Sequence, residues 1–171
     1  TNNAMGTLLM RRGKFARAEG YFRTAIKRMI SRNPNPYDSE AYLNLGLALL
    51  FLNRPNEAYD AFFKASWTAA QQEAAFYYVA CIDCRRGDFE AALEHIDSGL
   101  VRNWHNLKAR ALRGLILREL GREEEASSWF AENLQLDIFD YVSGIELNGL
   151  AETEKLIAGR LSSYIECAID Y

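Results

Sequence analysis

The residue types best able to do chemistry in this 171-residue chain are few and widely spread. Cys81-Ile82-Asp83-Cys84 places two thiols three residues apart, a spacing that can serve zinc binding or disulfide exchange. Zinc needs four ligands, but there is no second Cys pair. Cys167 stands alone, and the only histidines, His95 and His105, fall on a predicted helix and a loop. Thiol exchange needs a thiolate favoured at a helix N-terminus, whereas this pair falls mid-helix. The pair therefore reads as small packing residues on one helical face. The chain shows no nucleophile beside a base, no glycine-rich phosphate loop and no His-carboxylate cluster, so no catalytic, cofactor or metal site is expected. Glu123, Glu124 and Glu125 read as negative charge on the first turn of a helix, favourable to its dipole. Tyr77 and Tyr78 side by side suit binding, because tyrosine offers large contact area at small entropic cost.

The elements that must carry these residues are helical. Hydrophobic residues make up 49% and charged residues 25% of the chain, the balance of a folded soluble protein. With 23 Ala and 21 Leu but only 3 Val and 3 Pro, the composition favours helices and starves strands. No apolar stretch approaches the ~20 residues of a membrane span, and the N-terminus has no signal-peptide layout. Three sparse cysteines point to a reducing compartment, so the expected location is cytoplasmic. Residues 1–33 hold eight Lys or Arg against one acid, Glu19, a net +7, and the rest of the chain carries −10 of the overall −3. That block is read as solvated outer helix faces, with neither nucleic acid nor membrane expected as a partner.

An internal period orders the helices. Gly13-Lys-Phe-Ala-Arg-Ala18, Asn53-Arg-Pro-Asn-Glu-Ala58, Gly87-Asp-Phe-Glu-Ala-Ala92 and Gly121-Arg-Glu-Glu-Glu-Ala126 are spaced by 40, 34 and 34 residues. Gly or Asn is what a helix end requires when its next residue turns left-handed, so each leading residue marks a helix C-terminus. Seven residues before each stands a small residue: Gly6, Gly46, Ala80 and Gly114. Five residues after stand Ala18, Ala58, Ala92 and Ala126, followed four later on the same face by Phe22, Phe62, Ile96 and Phe130. Small side chains allow two antiparallel helices to approach, and the large ones fill the interface between repeats. The pattern predicts helix pairs over 3–12 and 15–32, 39–52 and 55–70, 73–86 and 89–102, and 106–120 and 123–136. Six extra residues in the first spacing lie around Pro34 and Pro36, and Asp38 or Ser39 is expected to cap the next helix.

This spacing resembles the tetratricopeptide repeat over about residues 3–140. Residues 39–72 carry Tyr42, Leu45, Gly46, Leu49, Ala58, Phe62 and Ala65 at the family's signature positions. Departures are Asn53 for the turn glycine, Pro55 for an aromatic, Arg110 and Arg113 for apolar residues, and Asn133 for a small one; they are expected to weaken single units. The resemblance implies an all-α fold, a right-handed superhelical solenoid of antiparallel helix pairs. Its units would run over about 1–38, 39–72, 73–106 and 107–140, followed by an irregular helical segment at 141–160 and a truncated first helix of a further unit at 161–171. The last reading rests on the spacing of Tyr164, Cys167, Ala168 and Tyr171, and it makes the chain a piece of a longer array.

The resemblance also implies a non-catalytic scaffold that holds a peptide or partner protein in a concave groove lined by first helices. Groove candidates are Leu43, Asn44, Leu47 and Phe51 in the second unit, Tyr77, Tyr78, Cys81 and Arg85 in the third, and Lys108, Leu112 and Leu115 in the fourth, with Arg118 adding to a basic far wall. The clamp by which family members grip a C-terminal carboxylate is not reproduced: Asn44 fits, but Asn3 and Thr7 replace its first pair and Ala74 and Tyr78 its last. Self-association through the C-terminal end is expected from its uncovered apolar face. A second resemblance, carried by Leu136–Tyr141 and Tyr164–Tyr171, is to the repeat region of large bacterial proteins with an uncharacterised sugar-enzyme-like β domain; it implies a structural arm of a larger, carbohydrate-active enzyme.

Overall fold

In the computed structural model, residues 1–33 and 38–169 are described, with side chains as far as Leu161 except that of Arg32. Two compact units emerge. The first, Thr1–Trp104, contains α1 (Asn2–Arg11), α2 (Phe15–Arg32), α3 (Glu40–Phe51), α4 (Pro55–Ala65), α5 (Ala69–Arg86) and α6 (Phe89–Leu100). The second, from His105 onward, contains α7 (Leu107–Glu119), α8 (Glu123–Leu136), α9 (Tyr141–Asn148) and α10 (Leu150–Ile169). No strand occurs among the described residues.

Gly13, Asn53, Gly87 and Gly121 all have positive φ, between 58° and 80°. At each, the helix closes with a paired motif. In the first, the Gly13 N–H donates to the Met10 carbonyl and the Lys14 N–H reaches back to Leu9, both at 2.9 Å; the same two bonds recur at Asn53/Arg54, Gly87/Asp88 and Gly121/Arg122. The carbonyls orphaned at the helix end are satisfied, and the chain reverses into the next helix.

The reversal presses small residues against large ones. A side-chain carbon placed on Gly6 would lie 2.4 Å from the Phe22 ring, on Gly46 2.5 Å from Phe62, and on Gly114 2.3 Å from Phe130. All three phenylalanines are fully buried, as are Ala18, Ala58, Ala92 and Ala126. In the remaining pair Ala80 replaces glycine and Ile96 replaces phenylalanine, also fully buried, so one added methyl is matched by a smaller partner. Within the first unit, α1, α3 and α5 touch in succession, and α2 and α4 each pack against the first helix of the following pair.

Two boundaries differ from the sequence expectation. α4 stops at Ala65 because the buried Ser39 hydroxyl, from the segment before α3, donates to the Ala65 carbonyl at 2.7 Å and also meets Thr68. Ser66 adds a bond to the Phe63 carbonyl at 2.8 Å, turning the chain so that α5 begins early, at Ala69. Ser39 is thus spent on the end of α4, and Asp38 caps α3 by accepting from the Glu40 N–H at 2.8 Å. In the second unit, α10 passes residues 160 and 161 without a break. Pro34 and Pro36, and the side chains of Tyr164, Cys167, Ala168 and Tyr171, lie outside what is described.

Candidate functional site

The first-helix face of the first unit is built by α3 and α5. On α3, Leu43 and Leu47 are half-buried and pack on the core, leaving part of each side chain open. Asn44 donates to the Asn3 side-chain oxygen at 3.1 Å and to Glu40 at 3.3 Å, which ties α3 to α1. Phe51, 64% exposed, stacks on Phe15 with ring centroids 4.5 Å apart, so it belongs to the turn end of the repeat.

On α5 the two tyrosines divide their work. Tyr78 stacks on the buried Phe62 at 4.9 Å, which makes it a packing residue. Tyr77 meets Tyr78 edge-on at 5.3 Å, and Cys81 lies one turn further along the helix. Burial is the main cause that pushes the Tyr77 phenol up to about 12, with the neighbouring Cys81 adding to it. Burial likewise raises the Cys81 thiol, against the opposing effects of Tyr77 and Arg85. A thiol held protonated is a poor nucleophile. We therefore expect iodoacetamide to alkylate Cys81 several-fold more slowly than free cysteine at pH 8, the gap closing as pH rises through the elevated pKa. Peptide mapping of the labelled cysteines checks this; labelling at the rate of free cysteine would contradict it. Cys81 and Cys84 carry no disulfide, and among the described residues no group of three His, Cys, Asp or Glu side chains could hold a metal. Arg85 is exposed beside them.

In the second unit Lys108, Leu112 and Leu115 share one face of α7, with Lys108 and Leu115 exposed and Leu112 half-buried. Arg118 departs from its expected place on a free basic wall. Its guanidinium donates to the Glu146 carbonyl at 2.7 Å, pairs with the Glu146 carboxylate and lies over the Phe130 ring, so it holds α9.

The departures Arg110, Arg113 and Asn133 prove to be one arrangement. Arg110 is fully buried; its Nε donates to the Asn133 side-chain oxygen at 2.7 Å and another guanidinium nitrogen to Glu132 at 2.9 Å. The Asn133 amide donates in turn to the buried Ser143 hydroxyl at 3.0 Å, and Ser143 to the Asp140 carboxylate at 2.5 Å. Both guanidinium groups lie about 4 Å from the Trp129 ring centre. Sequence reasoning scored these positions one at a time and missed that they satisfy each other; the signal was their joint departure within a single unit.

The comparisons agree with this geometry. The tetratricopeptide repeat family model matches residues 3–75 and 80–140. Among solved structures, MamA is 17% identical, with 97% of each chain covered and a TM-score of 0.71. YrrB, described as a tetratricopeptide repeat protein with an unusual peptide-binding site, is 20% identical over 92% of this chain and 84% of its own, with a TM-score of 0.68. A repeat protein from Parabacteroides merdae reaches a TM-score of 0.75 at 19% identity, covering 95% of this chain and 65% of that one. These likenesses show a helical-repeat solenoid fold. Among the described residues no helix is long and apolar enough to cross a membrane.

Proposed function

The chain belongs to the tetratricopeptide repeat family, and from that membership we propose that it is a non-catalytic scaffold which binds a peptide or partner protein along its first-helix faces. The observation that carries the reading is the α5 face, where Tyr77 is only half-buried, together with the part-open Leu43 and Leu47 on α3, the first helix that α5 touches. An aromatic anchor on a rigid helix, with apolar neighbours and the nearby Arg85, is the composition of an interface hot spot. YrrB, a fold relative, is named for peptide binding, which supports the same use here. Cys81 and Cys84 without a disulfide suit a reducing compartment, and we propose a cytoplasmic location.

Because Tyr78 is built into the packing, Tyr77 is the residue to test. Fluorescence anisotropy with a library of labelled 15-residue peptides should yield binders whose affinity falls about tenfold or more in Tyr77→Ala, at unchanged thermal stability. Binders that hold Tyr77→Ala as tightly as the natural chain would overturn the assignment of this face.

A further inference from the structure

On the second-helix side of the first unit, α2 and α4 form the walls of a cleft of about 390 Å³, within the size range of small-molecule sites. Its walls are Arg23, Ile26, Lys27 and Ile30 on α2 and Glu57, Asp60, Ala61 and Lys64 on α4. Tyr42, Leu45 and Leu49 of α3 form the floor. Glu57 is held by Arg54 at 2.6 Å and by Arg23 at 3.2 Å, which closes one end.

The next groove along, between α4 and α6, has the same construction and is plugged. His95, at the position equivalent to Ala61, stacks on Phe76 at 5.9 Å, meets the edges of Tyr59 and Phe63 at 6.4 and 6.2 Å, and is fixed by the Asp83 carboxylate at 2.8 Å. In the first groove the counterparts of His95, Tyr59, Phe63 and Asp83 are Ala61, Glu19, Arg23 and Leu49. The plugging histidine becomes an alanine and the buried carboxylate a leucine, while the two rings give way to Glu19 and Arg23, which pair with each other at 2.8 Å, and the space beside Ala61 stays open.

The charge of the open cleft decides what enters it. With Arg23 and Glu57 engaged with each other, Lys27 and Lys64 remain at the rim, neither paired with a carboxylate among the described residues, against the single Asp60. Lys64 sits 5.9 Å from the Tyr42 ring centre, at the edge of the apolar floor. We propose that this cleft binds a small anionic amphiphile, its aliphatic chain on Ile26, Ile30, Leu45 and Leu49 and its acidic head between Lys27 and Lys64. This site lies on other helix faces than the peptide surface and does not depend on it.

Titration calorimetry with sodium decanoate and with decyltrimethylammonium, both below micelle formation, tests the proposal on the whole chain. Decanoate is expected to bind saturably, to shift the methyl resonances of Ile26, Ile30, Leu45 and Leu49, and to outcompete the ammonium analogue. Lys27→Gln with Lys64→Gln should weaken it about tenfold, and Ala61→Phe, which fills the cleft as His95 fills its neighbour, should abolish binding. Absence of decanoate binding, equal binding of the cationic analogue, or unchanged binding by Ala61→Phe would each overturn the proposal. If Ala61→Phe does not fold, the exposed lysine pair decides: full affinity in that variant is an equal refutation.

Discussion

Asn133→Leu is expected to destabilise the second unit by about 3 kcal/mol. The substitution keeps the size of the side chain and removes both of its polar ends. Arg110 is fully buried, and its Nε loses the 2.7 Å acceptor; Ser143 loses the donor that links α9 to α8. A guanidinium cannot shed its charge to escape, so it stays buried, with the part-exposed Glu132 and the Trp129 face among the contacts left to it. Apolar packing gained by leucine offsets roughly 1 kcal/mol of this at most, because the site is built around polar groups. The measurement is urea unfolding, with hydrogen exchange to locate the loss in α7, α8 and α9. A double-mutant cycle sharpens it. Arg110→Met with Asn133→Leu removes the stranded charge, so the pair should be less destabilising than the sum of the singles by at least ~1 kcal/mol. Additive losses would mean that Arg110 does not depend on Asn133.

The repeat was legible because its determinants are local. A left-handed residue such as Gly87 at a helix end, a glycine such as Gly114 and a phenylalanine such as Phe130 sixteen residues on are recorded within one helical hairpin. What the sequence concealed depends on partners further away or on comparison between units. The end of α4 is set by Ser39, which is 26 residues earlier and looks like an ordinary N-cap. Arg110, by residue type, is an intruder in the core, and its partners Asn133 and Glu132 stand 23 and 22 residues later in the chain. Tyr77 and Tyr78 are equal as letters, but successive helix positions differ by about 100° in direction, so one anchors the core and the other stays available. Arg118 had the charge of a groove residue and was drawn to Glu146 by α9, whose segment matched no repeat pattern. The open cleft was hidden for a different reason. Ala61 is an unremarkable alanine until set beside His95, its counterpart in the next unit.

Gly46→Ala is the second large effect, and two terms of opposite sign decide it. Alanine is the better helix former by ~1 kcal/mol, and on an open helix face the change would stabilise. Here the new methyl would meet three carbons of the Phe62 ring at 2.5, 2.6 and 2.8 Å, closer than van der Waals contact permits. The ring has no room to yield, since it is fully buried with Tyr78 stacked at 4.9 Å. Overpacking of this kind costs up to ~3 kcal/mol, so the net expectation is a loss of about 2 kcal/mol, read as a lower urea midpoint. The third pair supplies the remedy, because Ala80 faces Ile96 there with both fully buried. Phe62→Ile in the Gly46→Ala background should therefore recover more than half of the loss, even though Phe62→Ile alone leaves a cavity and is itself destabilising. A Gly46→Ala variant as stable as the natural chain would show that the interface relaxes, and that the small residue in each pair is not set by the bulk of the large residue opposite.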